Sequence, residues 1–232
     1  LKLADINSTT QNPHGGRIEK GENGEPTGIL IDRATALVEK LIPKRTRQED
    51  KRDLQVGINR NVSLGWTQVQ IAGGTFSDFE LLEEIKSEGN LLQRIYFSVS
   101  QGEPAKTLLE QGPILDPEHM LTVRGIKLYA DGALGSRGAM LRAPYSDKPG
   151  HFGLLVTDLE TFNDAAQRIA NSEFQMNTHA IGDSANHAVL QTYSKVLNGK
   201  SNRRWRVEHA QVISPEDFKY YNDIISPACK QG

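Results

Sequence analysis

The sequence predicts an α/β fold that forms part of a (β/α)8 barrel, and three observations support this. Short apolar runs of strand type alternate with helix-like stretches from Gly65 onward, which favours parallel strands joined by right-handed crossovers. Three of these runs carry Lys127, His179 and His209 near their ends. Gly, Ala or Asp follows each run, as at the carboxyl end of a barrel strand. A barrel builds a metal site at that end of its strands.

Composition excludes several other classes of protein. The 232 residues are 37% hydrophobic and 24% charged, which allows a globular core and disfavours disorder. The net charge of −2 gives no reason to expect nucleic acid as a partner. No apolar run has the roughly 20 residues of a membrane span. The single cysteine, Cys229, cannot form an intramolecular disulfide or a site with several thiolates.

Residues 1–64 are predicted to form a hairpin and helical segment that precedes the barrel strands. A turn-rich stretch separates the two hairpin strands, and an aspartate before the next apolar run is the expected helix N-cap. The predicted elements are strands Arg17–Lys20 and Thr27–Ile31, N-cap Asp32, helix Arg33–Ile42, and a polar helix from Thr46 to Asn61.

Residues 65–232 are predicted to form the central part of the barrel, about strands two to six and the start of a seventh. The strand before the loop Asp131–Val156 carries Lys127, and long loops without their own secondary structure are often functional. The expected strands are Trp66–Ala72, Arg94–Ser100, Val123–Ala130, Gln175–Ala180, Arg204–Ala210 and one beginning at Ile224–Pro227. The expected helices are Ser77–Lys86 with Ser77 as cap, Ala105–Gln111, Asp158–Asn171, Asp183–Leu197 and one from Ser214.

The residues at the strand ends permit more than one chemistry. A neutral histidine suits Zn²⁺, and His179 and His209 from neighbouring strands can share one ion. Lys127 lies in an apolar run, where an ammonium is costly to bury. An ion pair with a carboxylate such as Asp131, a lowered pKa as a catalytic or Schiff-base amine, and carbamylation by CO₂ all remove that cost. Spacing alone leaves these three open.

Four stretches of the sequence closely resemble one family. They are GGRIEKGENGEPTGILID (Gly15–Asp32), GIKLYADGALGSRGAMLRAPYSD (Gly125–Asp147), NTHAIGD (Asn177–Asp183) and RVEHAQ (Arg206–Gln211). They are similar to the amidohydrolase superfamily, in particular to metal-dependent hydrolases of the amidohydrolase 3 type, which include N-substituted formamide deformylases. The resemblance covers most of the chain and implies a barrel of the metal-dependent hydrolase kind.

The resemblance also implies a set of metal ligands. In that superfamily, barrel strands supply a His-x-His pair, a carbamylated lysine, two further histidines and an aspartate that is the general base. Lys127, His179 and His209 match the middle three. No His-x-His occurs in the sequence, and the aspartate is expected outside this chain. We therefore expect an internal part of a longer protein, itself inactive and weak in metal binding, whose parent uses one or two divalent ions, Zn²⁺ first.

Several other side chains are candidates for contact with the substrate. Asp131, Arg137 and His151 belong to the long loop that follows Lys127. A turn is the plainer interpretation of Asp131, which precedes Gly132. Glu208 alternates with His209 on its strand, so we expect it to point away from that histidine and to pair with an arginine.

The implied function of the parent is the hydrolysis of non-peptide C–N bonds, amides above all. A Schiff-base enzyme that uses Lys127 and a non-catalytic or regulatory protein that keeps the fold are the two alternatives. We expect a small-molecule amide as substrate, no nucleic-acid or membrane partner, and self-association through open sheet edges. Localisation is left unassigned, and the cytoplasm is expected only by default.

Overall fold

The computed structural model describes residues 1–199 and 201–224. In this part of the chain, a two-stranded hairpin precedes a sheet of five strands, which lie side by side in the order in which they occur in the sequence. All neighbouring strands of the larger sheet are parallel, and helices connect them. This confirms the predicted α/β fold and the partial (β/α)8 barrel.

The hairpin is formed as predicted, with a small apolar core of its own. Strands β1 (Gly16–Lys20) and β2 (Pro26–Asp32) pair antiparallel. Two short helical turns follow, a 3-10 turn Arg33–Thr35 and α1 (Ala36–Glu39). The buried residues of the hairpin core are Ile6, Ile18 and Ala34.

The prediction for Asp32 as a helix N-cap is wrong. Its side chain makes no capping hydrogen bond, and its backbone has a positive φ of 51°. The helix predicted over residues 33–42 is accordingly broken into a 3-10 turn and four α-helical residues. An aspartate before an apolar run has the local pattern of a cap, but here the carboxylate is directed elsewhere.

Helix α2 (Arg47–Ser63) forms where the sequence predicts a polar helix. Thr46 caps it, and a reciprocal bond from the Thr46 backbone to Glu49 completes a capping box. Its one buried residue, Ile58, belongs to the main core beneath the sheet. The boundary predicted at residues 64 and 65 stays a prediction.

The remaining elements alternate strictly between strand and helix. The strands are β3 (Gln68–Gly74), β4 (Arg94–Ser100), β5 (Leu121–Tyr129), β6 (Gln175–Ala180) and β7 (Arg206–His209). The helices are α3 (Phe76–Ser87), α4 (Glu103–Gln111), α5 (Leu159–Ala170), α6 (Asp183–Leu197) and α7 (Phe218–Ile224), with 3-10 turns at Lys2–Ala4, Ser201–Arg203 and Pro215–Asp217. Strand bounds differ from the predicted ones by up to two residues.

Two helix caps illustrate which local signals are reliable. Asp158 caps α5 as predicted, because its carboxylate accepts the N–H of Thr161. Helix α3, however, is capped by Thr75 rather than Ser77, since Thr75 and Asp78 form the capping box. Both residues are good caps, and each lies three positions before an acidic residue, Asp78 for Thr75 and Glu80 for Ser77, so the local pattern does not distinguish them.

The main core lies between the sheet and its helices. Ile95, Phe97 and Val99 alternate along β4 and are almost fully buried in it. Phe79 of α3 packs on Phe97 with ring centroids 6.2 Å apart. Side chains on the opposite face of the strands are polar, among them Ser98 and Asn177, whose amide donates to the serine hydroxyl. The sheet therefore has one apolar and one polar face.

Two further points concern the limits of the described chain. Ile224 is the last residue of α7, and the remainder of the strand predicted from Ile224 lies outside the described residues. Among the helices of residues 1–199 and 201–224, none combines the length and the hydropathy that crossing a membrane requires.

Candidate functional site

The three side chains singled out by the sequence lie together at the carboxyl edge of the sheet. Lys127 belongs to β5, His179 to β6 and His209 ends β7. The imidazole centroids of His179 and His209 are 4.7 Å apart. Tyr129 lies between Lys127 and His179. The centre of its ring is 4.9 Å from Lys127 Nζ and 5.7 Å from the centre of the His179 ring. Parallel pairing brings the three strand ends to one edge.

Lys127 is buried among close neighbours. It is 3% exposed, and it pairs in register with Ser100 and Asn177 of the adjacent strands. Gly73 has a φ of +112° and lies so close that an added Cβ would be 3.2 Å from Lys127 Cγ. Burial lowers the pKa of the Lys127 amine, and a nearby carboxylate, Glu208, opposes this. A lowered pKa makes the neutral amine accessible, the form that reacts with CO₂ or a carbonyl.

His179 is held in a partly buried position. Its Nε2 lies 3.3 Å from the carbonyl oxygen of Gly132 and 3.6 Å from Asp131 Oδ1. Burial lowers the pKa of His179, the hydrogen bond to Gly132 opposes this, and the neighbouring His209 and Lys127 lower it further. The lowered pKa favours the neutral ring, which is the form that binds a metal ion. A ligand bound through Nε2 must replace the Gly132 contact.

His209 differs from the other two in exposure and backbone. It is exposed, and its φ of 74° lies in the left-handed region, as does the φ of 45° at Ala210. The strand ends here, with the Ala210 N–H bonded to the Ala180 carbonyl. Left-handed backbone at non-glycine residues is uncommon and clusters at functional sites.

Asp131 is a buried carboxylate that joins the long loop to the end of β6. It is 1% exposed and accepts the N–H groups of Met140, Ile181 and Gly182 at 2.8 to 3.0 Å. Burial raises the pKa of Asp131, and the three backbone bonds oppose this. The carboxylate is thus engaged by the protein, and its contact with a substrate stays a prediction.

The two other candidates from the loop are engaged with protein groups as well. Arg137 forms a two-pronged pair with Asp147. His151 Nε2 lies 2.8 Å from a guanidinium nitrogen of Arg17 on the hairpin and 2.8 Å from the Arg137 carbonyl. These contacts fasten the loop to the hairpin, and a role of Arg137 or His151 at a substrate stays a prediction.

Glu208 has the neighbour expected from the sequence. Its carboxylate lies 3.0 Å from the guanidinium of Arg206, which confirms the expected arginine pairing. Both side chains are on the polar face of the sheet, close enough to Lys127 to change its pKa in opposite directions. Glu208 therefore lies near Lys127, and its direction relative to His209 stays a prediction.

The donor chemistry fits a part of a metal site. Two imidazoles and a buried lysine that can be carbamylated are suitable ligands for Zn²⁺. In the part of the chain that the structure describes, no three His, Cys, Asp or Glu side chains are grouped to hold an ion. The residues present thus fit a partial ligand set, to which carbamylated Lys127 would belong.

Comparison with known proteins covers nearly the whole chain. The model of the amidohydrolase family matches residues 1–225. The Arabidopsis thaliana protein LONG AFTER FAR-RED 3 is 32% identical over 97% of this chain and 41% of its own length. N-substituted formamide deformylase of Arthrobacter pascens is 25% identical over 91% of this chain and 41% of its own length.

A solved structure shares the fold. It belongs to an uncharacterised metal-dependent hydrolase of Pyrococcus horikoshii, and it aligns with a TM-score of 0.70 at 23% identity. The alignment covers 89% of this chain and 42% of that one. The chain thus spans about two fifths of the length of these proteins.

Proposed function

This chain belongs to the amidohydrolase family, and we propose that the whole protein is a divalent-metal-dependent hydrolase of non-peptide C–N bonds. The observation that carries the proposal is the meeting of Lys127, His179 and His209 at one edge of the sheet, with the two imidazole centroids 4.7 Å apart. These three residues would hold the ion, Zn²⁺ first, together with ligands and a general base that other parts of the protein supply.

A bound divalent ion supplies a hydroxide from water at neutral pH and polarises the carbonyl that is attacked. The residues of this chain prepare the place for it. Burial favours the neutral Lys127 amine, whose nitrogen can form a bond to CO₂ and release one proton to give an anionic carbamate. Glu208 and Arg206 adjust the charge around that nitrogen, and Asp131 holds the backbone that follows His179.

The substrate class follows from the family and from the charge of the chain. Amidohydrolases cleave C–N bonds in small molecules, and the deformylase of Arthrobacter pascens is named for N-substituted formamides. A small-molecule amide is therefore the proposed substrate. The net charge of −2 gives no reason to expect nucleic acid as a partner. Self-association through the edge strands β3 and β7 stays a prediction.

Zinc binding tests the proposal directly. Weak binding is expected because only part of the ligand set is in this chain. His179→Ala and His209→Ala should each weaken the zinc affinity by about tenfold or more, since even outer-shell changes cost that much. Isothermal titration calorimetry with ZnCl₂ measures this, and His14→Ala, which removes an exposed histidine in the hairpin segment, is the matched control.

Two results would overturn the proposal. One is a zinc affinity that neither histidine variant changes. The other is trapping of a carbonyl compound on Lys127 by borohydride, because this would indicate a Schiff-base enzyme. Zinc-loaded protein should hydrolyse secondary amides once the remaining ligands are supplied by the longer protein.

A further inference from the structure

The hairpin and the carboxyl edge of the sheet enclose a cleft beside the candidate site. We call it the hairpin cleft, and its volume is about 690 Å³. The residues that matter for its chemistry are Asp32, Arg33, Glu39, Tyr129, Gly132 and His179. Because His179 is among them, a molecule in this cleft would lie against the strand ends that carry the candidate ligands.

Asp32 adopts a backbone conformation that its local sequence does not explain. Its φ of 51° with ψ of −126° is a conformation that side chains other than glycine rarely adopt. Such conformations are energetically unfavourable and persist where the surrounding structure requires them. Asp32 makes no capping hydrogen bond that would offset the cost. Helix capping therefore does not account for the strained backbone at Asp32.

The carboxylate of Asp32 lies directly against two glycines of the long loop. An added Cβ at Gly132 or at Gly138 would lie within 2.5 Å of Asp32 Oδ2, so a side chain at either position would displace the carboxylate. Asp32 Oδ2 is buried, and among residues 1–199 and 201–224 it has no hydrogen-bond partner. Asp131, in contrast, accepts three backbone N–H groups. Buried carboxylate oxygens without a donor are rare and costly.

The cationic side chains near Asp32 do not form an ion pair with its carboxylate. Arg17 is bonded to Glu19, to the Ser136 carbonyl and to His151, and it affects Asp32 only through its field. Arg33 lines the cleft but is exposed. The carboxylates of Glu39 and Asp131 add negative charge to the lining. The hairpin cleft is thus suited to a positive group that carries N–H donors.

We propose that Asp32 binds an amine group of the substrate, as an ammonium, in the hairpin cleft. The inference rests on the proposed function for the identity of the neighbouring site, and it adds the chemical class of the substrate. An ammonium supplies several N–H donors and a charge, and charge-assisted bonds are the strong ones in a partly buried place. Anionic substrates such as phosphate esters are excluded by the same carboxylates.

Binding of benzylammonium chloride to this chain tests the proposal without metal and without turnover. Titration calorimetry should detect binding of benzylammonium and none of its neutral analogue benzyl alcohol. Asp32→Asn should weaken the affinity for benzylammonium by about tenfold or more. Asparagine has the same shape and tolerates a positive φ, so the fold should persist, which circular dichroism checks.

Glu22→Gln is the matched control, because it removes an exposed negative charge of the hairpin segment that is not part of the cleft lining. Its affinity for benzylammonium should change by less than about twofold. Equal affinity of wild type and Asp32→Asn would overturn the proposal, even if the variant melts at a lower temperature, since Asp32 would then only hold the hairpin on the loop. Equal losses in Asp32→Asn and Glu22→Gln would also overturn it, because binding would then depend on the overall charge of the hairpin segment.

The experiments distinguish failure of the amine-site proposal from failure of the hydrolase proposal. Benzylammonium binding that depends on Asp32, in a protein whose zinc affinity does not depend on His179 or His209, supports the amine site and rejects the hydrolase. Zinc binding that depends on both histidines, with no role for Asp32, does the opposite.

Discussion

The two ends of strand β5 are each held by a buried aspartate that accepts three backbone N–H groups. At the amino end, Asp116 accepts from Glu118, Met120 and Leu121. At the carboxyl end, Asp131 accepts from Met140, Ile181 and Gly182. The two residues share a role in joining loops to the sheet.

They differ in how their charge is compensated. Lys86 lies 2.6 Å from Asp116, and this contact, with the backbone bonds, holds the pKa of Asp116 well below its usual range. In the described chain no lysine or arginine is bonded to Asp131, and burial raises its pKa. Its charged neighbour, when protonated, is His179 at 3.6 Å.

The difference follows the division of labour in a barrel, where the amino face contributes stability and the carboxyl face carries function. A carboxylate that is fully paired stabilises the fold and has no charge to offer a ligand. A buried carboxylate that is bonded only to backbone N–H groups is not neutralised by a cation, so its negative charge acts on the imidazole beside it. Three variants test whether the two ends of β5 differ in this way.

The largest effect is expected from Asp131→Ala. It leaves three buried N–H groups without an acceptor, and the free energy of unfolding should fall by about 3 kcal/mol or more. Urea denaturation followed by circular dichroism measures it. Asp147→Ala removes an exposed carboxylate of the same loop and should have a much smaller effect on the free energy of unfolding. Equal effects of the two variants would show that Asp131 does not hold the loop.

A smaller effect is expected from Asp131→Asn on zinc affinity. The amide keeps the shape but accepts with one oxygen and lacks the charge near His179. Zinc affinity should weaken by about tenfold, as for partners that orient a ligand. Asp116→Asn, at the other end of β5, should leave the affinity unchanged in the same calorimetric titration. If both variants weaken zinc binding equally, the two ends do not differ in function.

The smallest effect is expected for Asp116→Asn, on the pH dependence of the melting temperature. Because its folded-state pKa is depressed, its stabilising contribution is present above the pKa of the unfolded chain, about 4, and is lost as pH falls below it. The difference in melting temperature between wild type and Asp116→Asn should therefore be largest near about pH 7 and shrink below about pH 4. Glu118→Gln, an exposed neighbour of Lys86, should show no such trend.

The course of the strands and most of the helices could be predicted from sequence because their signals are local. Apolar runs between turn residues predict β4, β5 and β6, and the capping residue Asp158 predicts the start of α5. Since parallel strands end at one edge, the sequence also predicted that Lys127, His179 and His209 would meet.

Contacts that depend on partners far apart in sequence could not be predicted from local patterns. The donors to Asp131 lie 9, 50 and 51 positions away in sequence, so no local pattern reveals its role. Asp32 has the local pattern of a helix cap, but in the folded chain it has a positive φ, and its carboxylate lies against Gly132 and Gly138 beside the hairpin cleft. Local propensity is worth tenths of a kcal/mol to about 1 kcal/mol per residue, and burial against distant groups outweighs it.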